Sequence, residues 1–204
     1  MARLTDDTRK DVNAMKVAFL VAPEGVEQVE LTDPWQAVRD AGGTPRLVST
    51  ASGRIQAFHH LDKADTFEVD QTVKDATVEE YDALVLPGGV ANPDLLRLNK
   101  RAVAFVKGFV DAGKPVAAIC HAPWTLVEAD VVRGRTLTSW PSLRTDITNA
   151  GGVWVDEQVK VCEGGRGALI TSRKPDDLKA FNEAFLEEFA KAAGPAGSAR
   201  KGAA

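Results

Sequence analysis

The sequence feature that most constrains the fold is a short apolar run that ends at a cysteine, Pro115-Val-Ala-Ala-Ile-Cys120. The run is too short for a helix and follows Gly113-Lys, so it predicts a buried β-strand. Ala122-Pro123 then begins a helical segment, where proline is favoured because its missing N–H has no partner in a first turn. The cysteine is therefore expected on a sharp strand-to-helix turn, the geometry of a nucleophile elbow.

The two cysteines differ in their expected roles. At a helix N-terminus, unpaired N–H groups and the helix dipole favour a thiolate at Cys120. The alternative is that Cys120 packs as a small buried hydrophobe, as free cysteines commonly do. Cys162 ends an alternating run that is typical of a half-buried strand, and we predict that it is a structural thiol.

Composition limits the class of protein. A chain of 204 residues, 44% hydrophobic and 26% charged, fits one globular domain. The net charge of -4 gives no electrostatic reason to expect a nucleic acid or membrane partner. The N-terminus lacks the apolar segment of a signal peptide, and the cysteines lack disulfide or zinc spacing. We therefore expect a cytoplasmic protein with no metal and no cofactor.

Apolar runs alternate with helical periodicity along the chain. Lys16–Ala22 and Tyr81–Leu86 are continuous apolar runs, typical of strands buried on both faces of a parallel sheet. Helical spacing covers 29–41, 98–112, 142–150 and 175–192, a hairpin is expected over 54–69, and 23–28 is expected to be a loop. This pattern predicts a three-layer α/β/α sandwich over 15–192, with a flexible arm (1–14) and a disordered tail (193–204).

The histidines narrow the chemistry of a reactive cysteine. The chain has three, His59, His60 and His121, and none follows residue 121. This excludes the papain-like order and the late histidine of class I glutamine amidotransferases, because a cysteine hydrolase needs a base. His121 beside the cysteine is one candidate base, and the pair in the hairpin is the other. Because parallel strands place sites at their carboxyl ends, we expect Cys120 and the turn Pro87-Gly-Gly89 to lie close together.

The elbow Ala118-Ile-Cys120-His121-Ala122-Pro123 resembles that of PfpI-type proteins, in the superfamily of the parkinsonism-associated deglycase and class I glutamine amidotransferase domains. Supporting stretches are Val29-Glu30-Leu31, Asp82-Ala-Leu-Val-Leu-Pro-Gly-Gly89, Gly113-Lys-Pro-Val116, Arg133-Gly-Arg135, Asn149-Ala-Gly151 and Thr171-Ser-Arg-Lys-Pro-Asp-Asp-Leu178. The resemblance runs from about Lys16 to Ala190 and implies a flavodoxin-like sandwich with a mostly parallel sheet.

The resemblance also implies site residues. The family nucleophile falls on Cys120, its histidine on His121, and the acidic residue that contacts the cysteine on Glu27. The acid that orients the histidine from a neighbouring subunit falls on Asp94, and the backbone N–H groups of Gly89 and His121 would form an oxyanion hole. This implies a homo-oligomer, a dimer or a hexamer.

The sequence differs from the family pattern in three respects. Ala122 replaces a glycine at the elbow, Gly25 and Gln28 replace acidic residues in the first loop, and one extra residue lies between Gly89 and Asp94.

The resemblance implies a stress-response enzyme that acts on carbonyl compounds, either a protein or nucleotide deglycase or a glyoxalase. Cys120 would attack a carbonyl carbon of methylglyoxal or of a glycated amino group, and Glu27 would transfer a proton. Two alternatives stay open. One is an intracellular cysteine peptidase that uses the same residues. The other is a redox sensor or chaperone in which Cys120 is oxidised.

Overall fold

A computed structural model describes residues 12–194. Most of the predicted arm and tail, residues 1–11 and 195–204, lies outside the described residues. The strands are β1 (Lys16–Val21), β2 (Glu24–Glu27), β3 (Thr44–Ser49), β4 (Arg54–His59), β5 (Asp62–Glu68), β6 (Gln71–Thr72), β7 (Ala83–Leu86), β8 (Val116–Ile119), β9 (Thr136–Leu137), β10 (Val153–Trp154), β11 (Val159–Cys162) and β12 (Leu169–Ser172). The helices are α1 (Gln28–Asp40), α2 (Ala91–Leu98), α3 (Lys100–Asp111), α4 (Pro123–Glu128), α5 (Arg144–Asn149) and α6 (Leu178–Ala193).

The central sheet has the strand order β11-β12-β8-β7-β1-β3-β6. All of its pairs are parallel except β11 with β12. A smaller sheet joins β2 to the β4–β5 hairpin, and β9 pairs with β10. The predicted α/β sandwich with a mostly parallel sheet is confirmed.

Two hydrophobic clusters cover the two faces of the central sheet, because successive strand residues point to opposite sides. Along β1, Val17 and Phe19 pack into one cluster with three phenylalanines of α6. Ala18 and Leu20 pack into the other, with α3 and α4. This alternation produces the three layers.

Local structure differs from the prediction in two places. The expected loop 23–28 contains strand β2, because its extended backbone pairs with β4 of the hairpin. The helix expected over 98–112 begins only at Lys100, because the Asn99 side chain caps α3 by accepting from Arg101 N and Ala102 N. The preceding segment forms α2, which the sequence pattern did not indicate.

The carboxyl ends of β1, β7, β8 and β12 lie side by side because these strands are neighbours in the sheet. They place Ala22, the Pro87-Gly88-Gly89 turn and Cys120 at one edge. Helix α1 begins at the same edge, directly after β2.

Candidate active site

Cys120 occupies a strained elbow between β8 and α4. Its φ is 62°, a conformation that costs a residue other than glycine about 1–3 kcal/mol. The backbone is held there at both ends, since its N–H donates to Ser172 O at 3.0 Å and its carbonyl accepts from Trp140 N at 2.9 Å. The side chain is 6% exposed. The predicted strand-to-helix turn is present, and it places the Cys120 thiol at the carboxyl end of the central sheet.

A buried carboxyl, that of Glu30, lies against this thiol. Glu30 is in the first turn of α1 and is fully buried. Its Oε2 accepts from Gly89 N at 3.1 Å, and Oε1 accepts no hydrogen bond from a described N–H or O–H group. Its pKa is raised from 4.5 to about 8, mainly by burial and in part by the nearby charge of Glu27, against the lowering effect of hydrogen bonds from Cys120 and the glycine turn. The carboxyl is therefore mostly protonated at neutral pH.

The predicted contact between Glu27 and Cys120 is wrong, because Glu30 occupies that place. Glu27 ends β2 and precedes α1, so its side chain turns towards the β4–β5 hairpin. Its Oε2 accepts from His60 N at 2.9 Å, and its Oε1 is 3.9 Å from His59 Nδ1. The helical periodicity of α1 contained a signal for Glu30 that the sequence analysis missed. Glu30 shares the inward face of α1 with Leu31, Pro34 and Val38, where a glutamate is unexpected.

Opposing influences act on the Cys120 thiol. Burial raises its pKa, and negative charge on Glu30 raises it further. The N–H groups of Gly89 and His121 face the sulfur and lower the pKa. These are the two groups predicted to form an oxyanion hole. Their effect is smaller than that of burial, so the pKa of the Cys120 thiol lies above its ordinary range, and the thiolate expected from the helix N-terminus is not favoured in the absence of substrate.

His121 is the only one of the three histidines that contacts the thiol in the described residues. Its Nδ1 is 3.2 Å from Cys120 Sγ, and its ring stacks on Trp140 with centroids 5.5 Å apart. Burial lowers its pKa to about 4, so the imidazole is neutral at pH 7. Side chains of adjacent residues commonly diverge, but here Trp140 and Trp124 hold the ring against the sulfur.

Asp94 is not part of this cluster within one chain. It is exposed on the first turn of α2, and no described side chain forms a hydrogen bond or ion pair with it. Its predicted role in a neighbouring subunit stays a prediction.

Cys162, predicted to be a structural thiol, is partly exposed at the end of β11 and forms no disulfide. Burial alone would raise the pKa of this thiol, but hydrogen bonding to Arg135 and the Arg135 charge lower it. A second ionisable thiol must therefore be separated from Cys120 in any labelling experiment.

Residues 12–194 lack two other features that would indicate a function. No group of three or more His, Cys, Asp or Glu side chains could hold a metal ion there. In the same residues, no helix combines the length and apolar character that crossing a bilayer requires.

Known proteins are similar to this chain in sequence and in fold. Residues 15–188 match the sequence pattern of the DJ-1/PfpI family. Deglycase PH1704 of Pyrococcus horikoshii is 42% identical over 173 residues, which are 85% of this chain and 98% of that protein. Protein/nucleic acid deglycase 2 of Escherichia coli is 40% identical over 171 residues, 84% of this chain and 95% of that one.

Among solved structures, a ThiJ/PfpI domain protein from Brachyspira murdochii superimposes with a TM-score of 0.79. It covers 88% of this chain and 98% of its own at 19% identity, and so supports the fold alone. Because the family pattern spans most of the chain and two relatives share about 40% of its residues along almost their whole length, this protein belongs to the DJ-1/PfpI family.

Proposed function

We propose that this protein is a cysteine-dependent deglycase, which hydrolyses the adducts that methylglyoxal and related carbonyl compounds form with amino groups. The observation that carries the proposal is the buried, protonated Glu30 carboxyl against the Cys120 thiol. A thiol supplies a nucleophile and a neutral carboxylic acid supplies a proton, which are the two needs of addition to a carbonyl. The names of the two deglycase relatives support the substrate class.

The first chemical step uses the two protons of the neutral pair. As the sulfur attacks the carbonyl carbon, the thiol proton passes from Sγ to one oxygen of the Glu30 carboxyl, a C–S bond forms, and the π electron pair moves to the carbonyl oxygen. The protonated oxygen of Glu30 gives its proton to that carbonyl oxygen, so the carboxyl is protonated before and after the step. Gly89 N–H stabilises the negative charge that develops during the attack.

The net reaction needs no external oxidant. A methylglyoxal adduct takes up one water and yields the free amine and a hydroxy acid, since its ketone carbon is reduced while the neighbouring carbon is oxidised. Collapse of the hemiaminal breaks the C–N bond and releases the amine, and the sulfur adds to the aldehyde carbon that remains. Glu30 then relays the proton from this carbon to the neighbouring ketone carbon, which converts the adduct into a thioester. Water breaks the C–S bond of the thioester and releases the hydroxy acid and the thiol. His121 is neutral and contacts the sulfur, so it orients the thiolate without competing for the acid role.

The test is an assay on a defined adduct. N-acetyl-lysine treated with methylglyoxal is incubated with the protein, and the released amine and hydroxy acid are quantified by mass spectrometry. We expect turnover by the wild type and by C162S, and loss of at least about 100-fold in C120A and E30Q. C162S is the matched control because it removes the other thiol of the chain.

Parallel incubations distinguish the rival functions. Unfolded casein tests peptide hydrolysis, and hydrogen peroxide tests oxidation of Cys120 without turnover. Casein cleavage that depends on Cys120, with no loss of the adduct, would identify a peptidase. Stoichiometric oxidation as the sole response would identify a redox sensor. Either result would remove the proposed deglycase activity.

A further inference from the structure

A buried amide, Asn92, connects the end of β1 to the glycine turn beside the active site. It is fully buried on α2. Its Oδ1 accepts from Ala22 N at 2.7 Å, and its Nδ2 donates to Pro87 O at 2.9 Å and to Gly88 O at 3.2 Å. The amide oxygen and nitrogen thus both have buried partners. None of these bonds belongs to the mechanism described above.

The bond to Gly88 O determines where the next N–H points. Gly88 C=O and Gly89 N–H belong to one planar trans peptide, in which the two groups point in opposite directions. With the carbonyl held by Asn92, the N–H is directed to the other side, where it donates to Glu30 Oε2 at 3.1 Å and faces Cys120. If this peptide plane rotated, the Gly88 carbonyl oxygen would face the Glu30 carboxyl and the Cys120 thiol instead.

The glycine turn needs such a restraint. A peptide between two glycines has few steric barriers to rotation, because neither residue carries a Cβ. Gly89 has a φ of 80°, and a side chain there would collide with Gly25 O and with Glu27 N. Glycine is thus required by the space available, and the orientation of the peptide has to come from hydrogen bonds outside the turn.

We propose that Asn92 is a positioning residue that fixes the Gly88–Gly89 peptide plane, so that Gly89 N–H faces Cys120 and Glu30. The contribution of Asn92 to turnover rests on the proposed function. Its effect on the ionisation of the Cys120 thiol does not.

The test measures thiol ionisation without substrate. In a C162S background, the rate of iodoacetamide alkylation is followed against pH for N92S, N92A and N92D. Losing the Gly89 N–H should raise the apparent pKa of Cys120 by about one unit and slow alkylation at pH 7 about tenfold. With glycated substrate, kcat should fall while KM stays within about twofold. The variant N92D keeps the acceptor for Ala22 N–H and loses the donor, so it isolates the Nδ2 bonds.

The matched control is N99A, which removes another asparagine of the same segment. Asn99 caps α3 and contacts no active-site residue among those described. We expect N99A to lower the unfolding temperature as the Asn92 variants do, with an unchanged alkylation profile. Folded Asn92 variants with the wild-type profile would overturn the proposal. An absence of deglycase activity with the shift present would remove only the proposed function.

A measurement on the wild type covers the case in which no Asn92 variant folds. In ¹⁵N-edited NMR spectra, the Asn92 side-chain N–H₂ should exchange slowly with solvent. The Gly89 amide shift should follow the titration of Glu30 near pH 8. A Gly89 amide that does not respond to pH, or a rapidly exchanging Asn92 amide, would contradict the proposal.

Discussion

At the scale of single residues, the position at which α1 begins gives Glu27 and Glu30 different surroundings. Glu30 points towards the sheet edge and meets a thiol, whereas Glu27 precedes the helix and meets backbone N–H of the hairpin. Only Glu30 is removed from water completely. Desolvation of the charged form therefore makes it a proton donor at neutral pH.

Replacing Glu30 by glutamine should lower turnover and raise the free energy of unfolding at pH 8. The folded-state pKa of about 8 lies above the ordinary 4.5, so the stabilising contribution is complete below pH 4.5 and lost as pH rises through 8. We expect E30Q to be more stable than the wild type at pH 8, on the order of a few kcal/mol, and not at pH 4. Thermal unfolding from pH 4 to 9 measures this.

The matched control for this substitution is E27Q, which changes an acid outside the contact with sulfur. We expect turnover of the adduct to fall at least about 100-fold in E30Q and only a few-fold in E27Q. Wild-type turnover should itself decline above pH 8, as Glu30 loses the proton it donates. Parallel pH profiles of stability in E30Q and the wild type would show that Glu30 is ionised in the folded protein.

At the scale of elements, the Pro87-Gly-Gly turn lets two acids approach. An added Cβ at Gly88 would meet Glu30 Oε2, Cys120 Cβ at 2.7 Å and Ile119 O at 2.7 Å. These are parts of three elements, α1, the elbow and β8, so none can withdraw without repacking. The missing side chain is thus what allows the carboxyl and the thiol to touch.

The substitution G88A should accordingly damage the site more than its size suggests. We expect about 1–3 kcal/mol lower stability, the range for overpacking, together with a large loss of turnover. The control is G164A, where an added Cβ makes only an ordinary 3.9 Å contact with Cys162 Sγ. Chemical denaturation and the adduct assay measure both. Equal effects of the two substitutions would mean that the turn tolerates a side chain.

At the scale of the whole molecule, the α2 face beside the site is open. Val90 and Leu98 are 58% and 78% exposed there, and Asp94 lies between them in the sequence. We propose that a second copy of the chain covers this face and brings its Asp94 to the partner's histidine. The exposed apolar side chains provide area to bury. The Asp94 carboxyl provides an acid, which His121 lacks among residues 12–194 of its own chain.

Dilution tests this assembly. If the site is completed between subunits, activity per chain should fall as the concentration drops below the dissociation constant. The substitution D94A should lower turnover at all concentrations and leave the thermal unfolding of the protomer unchanged. Sedimentation velocity at matched concentrations gives the oligomeric state. A fully active monomer would exclude Asp94 from the reaction.

The sequence by itself determined the elements whose signal is local. The apolar runs of β1, β7 and β8, the hairpin, and the cysteine on its strand-to-helix turn could all be predicted, because periodicity and proline act within a few residues. The α/β class followed from their alternation. The glycine turn could be placed beside Cys120, because parallel strands bring their carboxyl ends to one edge.

Only the tertiary structure decided which side chains meet there. Whether Glu27 or Glu30 reaches the thiol depends on the residue at which α1 begins and on the pairing of β2 with the hairpin, and both depend on distant contacts. The stack of His121 on Trp140 and the bond from Ala22 N to Asn92 Oδ1 join segments far apart in the chain. Burial follows from that packing, and with it the raised pKa of Glu30.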